Sequence, residues 1–81
     1  MFVAFDLGTK IVNVNLDNVS EIICNYIENS LEQRYEMKIF PMDGNNEPWV
    51  WTFKDKDSLN QACSDIFYSK EKYVYIKEGL A

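Results

Sequence analysis

The chain has 81 residues, thirteen acidic and eight basic side chains, a net charge of −5 and no histidine. Hydrophobic residues make up 47% and aromatic residues 15%, the composition of a folded globular protein rather than a disordered segment. These figures exclude histidine catalysis and histidine metal ligation, and they oppose general nucleic-acid binding, which rests on Lys and Arg neutralising phosphates.

Phe2-Val3-Ala4-Phe5 opens the chain as a short β run, and Asp6-Leu7-Gly8-Thr9 is turn chemistry in which Gly8 is free to take positive φ. Val12, Val14 and Leu16 alternate with Asn13 and Asn15, the period of a strand with one buried face. Residues 20–28 are apolar on both faces: Ile22, Cys24 and Tyr26 on one, Ile23 and Ile27 on the other. Such a strand is central or lies where a sheet curls. Tyr35, Met37 and Ile39 alternate with Arg34, Glu36 and Lys38, and the turn Asp43-Gly44-Asn45-Asn46 leads to Pro48 and to Trp49, Trp51 and Phe53.

The period then changes. Leu59, Ala62, Cys63, Ile66 and Phe67 fall on one face of a helix predicted over about 57–69, with Ser58 and Gln61 as a capping box or Asp55 or Asp57 as cap. Tyr73-Val74-Tyr75-Ile76-Lys77 is a last short strand, and Gly79-Leu80-Ala81 is expected to fray. The predicted fold is one α+β domain over residues 1–81, a strongly curled antiparallel sheet of about five to six short strands with one amphipathic helix packed on it. Its expected core contains Val12, Val14, Leu16, Ile22, Cys24, Tyr26, Tyr35, Met37, Ile39, Trp49, Trp51, Phe53, Leu59, Ile66, Phe67, Val74 and Ile76.

Catalytic signals are weak. Phe5-Asp6-Leu7-Gly8-Thr9-Lys10 resembles the first phosphate hairpin of the actin-like ATPases, yet the chain is too short for the second phosphate loop and adenosine site those proteins need. Cys24 and Cys63 lack a histidine base, are too few for a metal site, and read as two buried thiols rather than a disulfide framework. No enzyme activity, metal or cofactor is expected. The opening residues lack a signal-like stretch and the apolar runs fall far short of the ~20 residues of a membrane span, so a cytoplasmic protein is expected.

Residues 1–53 hold eight acidic against three basic side chains, so the whole charge excess lies there. Asp17, Glu21, Glu28 and Glu32 are candidates for an acidic surface complementary to a basic cleft. Tyr73 and Tyr75 have the parity opposite Val74 and Ile76, and Tyr68 falls off the helix stripe, so all three are candidate interface residues. The predicted function is a non-catalytic, protein-binding module with a partner of basic surface. Its concrete form is a small acidic inhibitor or regulator, of the kind phages use, occupying the nucleic-acid cleft of a host effector. The alternative is an accessory or homodimeric subunit binding through its edge strand and tyrosines.

Asn15-Leu16-Asp17-Asn18-Val19-Ser20-Glu21-Ile22 resembles a step of the small flagellar FlbD-like proteins, and Gly44, the strand to Phe53 and the helix through Ile66 follow in the same order. The resemblance implies a mostly β regulatory accessory protein. The chain departs from it in a longer Asp43–Pro48 turn, two tryptophans and a last strand.

Overall fold

Each stretch of period-two alternation forms a strand in the computed structural model, which describes residues 1–77 and 79–81. In chain order these are β1 (Phe2–Asp6), β2 (Ile11–Asn15), a 3-10 turn at Leu16–Asn18, β3 (Val19–Glu28), β4 (Gln33–Pro41), β5 (Trp49–Phe53), the helix α1 (Lys56–Tyr68) and β6 (Tyr73–Ile76). Asp6 closes the β1–β2 turn by accepting from the Gly8 N–H at 2.9 Å, with Gly8 at φ 85°. Asp55 is the cap of α1, accepting from the Ser58 N–H at 2.7 Å.

The α+β class holds, but the strands form two three-stranded sheets rather than one strongly curled sheet. The first has order β2-β1-β6, the second β3-β4-β5. The division falls at the Leu16–Asn18 turn, where the Asn15 side chain accepts from the Asp17 N–H at 3.0 Å and diverts the chain from one sheet to the other. The second sheet is an antiparallel meander. The first is mixed: β1 pairs antiparallel with β2 and parallel with β6. A parallel pair needs a long crossover, and the second sheet and α1 together provide it.

Val3, Phe5, Val14, Val74 and Ile76 from the first sheet join Tyr35, Met37, Ile39, Trp51 and Phe53 from the second in one buried cluster, completed by Leu59, Ala62 and Ile66 of α1. The Phe5 and Trp51 rings stack with centroids 4.5 Å apart. Val3, Ala4 and Phe5 are fully buried and were missing from the core expected from sequence. Their strand is the middle one of its sheet, which a continuous apolar run signals. Two expected core residues face water instead: Tyr26 is 52% exposed and Phe67 57%. Tyr26 lies near the end of β3 with the Lys56 ammonium over its ring at 4.2 Å, and Phe67 is in the last turn of α1.

The C-terminal residues are ordered by pairing rather than frayed. The Lys54 N–H donates to the Gly79 carbonyl at 2.7 Å, the Ala81 N–H donates to the Thr52 carbonyl at 2.9 Å, and Leu80 bridges Phe53. Gly79 sits at φ 82°, and a Cβ there would collide with the Ser58 side chain.

Cys24 of β3 and Cys63 of α1 form a disulfide, not the two free thiols expected from sequence. Both lie on the inward side of their elements, half-buried against the same cluster. Helix packing across the second sheet brings together residues 39 positions apart.

Two outcomes follow for stability. Trp51→Ala costs about 3–5 kcal/mol and largely unfolds the domain, whereas Trp51→Phe keeps a ring against Phe5 and costs much less; urea titration followed by circular dichroism measures both. The paired Cys24→Ser and Cys63→Ser variant loses about 3–4 kcal/mol in the same assay, the loop-closure entropy of a bridge this long, and reductant lowers the wild type to match.

Candidate functional site

The open face of the first sheet follows from its register. Phe2, Ala4 and Asp6 of β1 lie beside Asn15, Asn13 and Ile11 of β2, while Tyr73 and Tyr75 of β6 flank Phe2 and Ala4. The opposite parity, Val3, Phe5, Val74 and Ile76, is buried, so both tyrosines point outward, at 53% and 49% exposure. Their hydroxyls are anchored in part. Tyr75 Oη donates to Asp6 Oδ2, and Tyr73 Oη lies 3.5 Å from Asn13 Oδ1.

Helix α1 runs beside β6, and a cleft of about 610 Å³ lies between them. Asp57, Gln61 and Asp65, at successive i+4 positions, line it from the helix, and Tyr75 and Lys77 line it from the strand side. Gln61 Nε2 donates to Asp65 Oδ1 at 2.8 Å. A second hollow, of about 510 Å³, shares Asp65 and Tyr75 and continues to Tyr68 and Tyr73. The three tyrosines therefore converge on one surface, with Tyr68, 83% exposed, at the end of the helix. Sequence parity gives the outward aspect of each; their meeting depends on where α1 packs.

The carboxylate set behaves differently. Glu21 and Glu28 lie seven positions apart on one strand, hence on opposite faces. Glu28 accepts from Tyr35 Oη at 3.2 Å and lies 4.0 Å from Lys56 Nζ. Burial, then the Glu28 hydrogen bond, raises the Tyr35 phenol above its ordinary range. Glu32 pairs with Arg34 at 3.4 Å, and Asp17 lies 3.7 Å from the N-terminal ammonium. Arg34 and Lys38 also flank Glu36, so an alternating charge ladder runs along the outer face of β4. Asp17, Glu21, Glu28 and Glu32 do not gather on one side of the sheet.

Both Asp6 oxygens are engaged, one by the Gly8 N–H and one by Tyr75. The aspartate of the phosphate-hairpin-like motif thus acts as a turn clamp that reaches the last strand. Among the described residues no three acidic or cysteine side chains are grouped to hold a metal ion, and no helix is long and apolar enough to cross a membrane. Comparison with family models, characterised proteins and solved structures gives no match.

The hydrogen bond from Tyr75, then that from Gly8, holds the Asp6 carboxyl below its ordinary value, and the same bond raises the Tyr75 phenol. The carboxylate contribution is intact above the ordinary aspartate pKa of about 3.9 and is lost as pH falls through the lowered one. The phenol contribution is intact below about 10 and is lost as pH rises through the raised value. Tyr75→Phe returns the Asp6 titration toward its ordinary position, as read by carboxyl NMR. An unchanged Asp6 titration in that variant shows that the bond does not form in solution.

Proposed function

We propose that the chain is a non-catalytic protein-binding module, an inhibitor or regulator that engages a partner of basic surface. The observation that carries this is the convergence of Tyr68, Tyr73 and Tyr75 on one cleft with Asp65 and Asp6 beside them. Tyrosine presents a large, stiff contact area with a polar tip, and such residues dominate interface energies. Lys and Arg side chains match this lining in two ways: their cations stack on tyrosine faces and pair with carboxylates. A cytoplasmic site of action belongs to the same proposal. Cytosolic reductants would there keep Cys24 and Cys63 as thiols, with the disulfide as the oxidised form.

Occupation of a basic nucleic-acid cleft through Asp17, Glu21, Glu28 and Glu32 has less support. Three of the four already lie beside a cationic group, and the set is divided between faces. Capture of binding proteins by the wild type and two variants separates the surfaces. Tyr73→Ala with Tyr75→Ala is expected to lose about 30-fold or more in affinity while remaining folded by circular dichroism. Glu21→Gln with Glu32→Gln is expected to bind like the wild type. The reverse pattern would transfer the function to the acidic set.

A further inference from the structure

The two edges of the second sheet are finished differently. The outer edge of β5, itself five residues long, is paired at its end, Thr52 to Lys54, with the C-terminal Gly79, Leu80 and Ala81. Strand β3 is the other edge, and among the described residues nothing pairs with its outer side. It is ten residues long, about 33 Å at ~3.3 Å per residue. The edge strands of the first sheet, β2 and β6, have five and four residues. Proteins guard long edges with Lys, Pro, bulges or cover. The β3 sequence Val-Ser-Glu-Ile-Ile-Cys-Asn-Tyr-Ile-Glu has no Lys, Arg or Pro, and its register shift lies at its first residues, between Val19 and Glu21.

We propose that β3 pairs antiparallel with β3 of a second copy of this chain, joining two three-stranded sheets into one of six strands. The strand is complementary to itself in one register more fully than in its neighbours. Antiparallel partners share a face, so a two-fold axis must pass at a residue rather than between two. Centred on Ile23, the pairing sets Ile23 against its own copy, Ile22 against Cys24 and Glu21 against Asn25. Apolar residues then meet apolar residues and polar meet polar, apart from Ser20 against the Tyr26 ring, and no acid opposes an acid. Centred on Cys24, it would set Glu21 against Ile27 and Ile23 against Asn25, mixing the two kinds, and centred on Asn25 it would set Ile22 against the carboxylate of Glu28. The first register also extends the outer apolar row of Ile23 across the axis. This surface is separate from the tyrosine cleft, so the proposal stands independently of that reading.

Sedimentation equilibrium of the oxidised protein tests it. The wild type is expected to be a dimer, and Ile23→Lys, which places two ammonium groups against each other on the axis, a folded monomer. The register is read by charge. Asn25→Lys faces the Glu21 of the other copy twice by symmetry and tightens the dimer, whereas Asn25→Glu sets acid against acid. The two dissociation constants are expected to differ about tenfold. The same charges at Asn60, exposed on α1, change net charge equally and are expected to leave the constants within about twofold of each other. A wild type that stays monomeric to about 1 mM overturns the proposal and leaves the edge to a strand of another protein. Equal constants for the two Asn25 variants overturn the register.

Discussion

The contact of Phe5 with Trp51 connects the two sheets, and most of the molecule is arranged around it. Two three-stranded sheets of this size each have one apolar face to bury, and each buries it against the other and the helix. Stacked rings 4.5 Å apart fill the space between their middle and edge strands. With that space filled, α1 needs to supply only Leu59, Ala62 and Ile66 to close the cluster. The disulfide then ties the helix to the strand farthest from β5 in the sheet it covers.

That arrangement also divides the surface by chemistry. The outer face of the second sheet neutralises its own charges along β4 and the residue before it, where Glu32, Arg34, Glu36 and Lys38 alternate in sign. Exposed ion pairs of this kind contribute little stability, but they leave that face with little net field. The outer face of the first sheet is aromatic, with few charges, and it borders the helix cleft. The chain's charge excess is therefore a poor guide to where it presents a distinctive surface.

Much of the local structure was legible in the sequence, because periods of two and 3.6 report burial directly. Every strand and the helix were found, with α1 displaced by one residue at each end. What was not legible depends on contacts distant in sequence. Nothing local says that β6 returns beside β1 rather than extending an antiparallel sheet. The run Val3-Ala4-Phe5 reads only as a short strand, while the central position is expected for residues 20–28, which form the edge strand β3; β1 holds the middle of its sheet, and that placement required the whole topology. Tyr26 and Phe67 had the right parity for burial and lay where their elements run beyond the core. Cys24 and Cys63 were both on apolar faces, a clue that becomes a bond only once the helix crosses the sheet. At the candidate site the same limit applies: periodicity gave the outward aspect of the tyrosines, while their convergence came from packing.

The parallel pairing of the first and last strands has a consequence for how the chain is made. Phe2 and Tyr73 are register partners, so β1, the middle strand of the first sheet, is synthesised well before its second neighbour exists. The β3-β4-β5 meander is made of sequence-adjacent pairs and can assemble while synthesis continues. Long-range pairings of this sort slow folding because the intervening chain must be ordered before they are rewarded. The fully buried segment Val3-Ala4-Phe5 thus lacks one of its two strand neighbours until β6 has been synthesised.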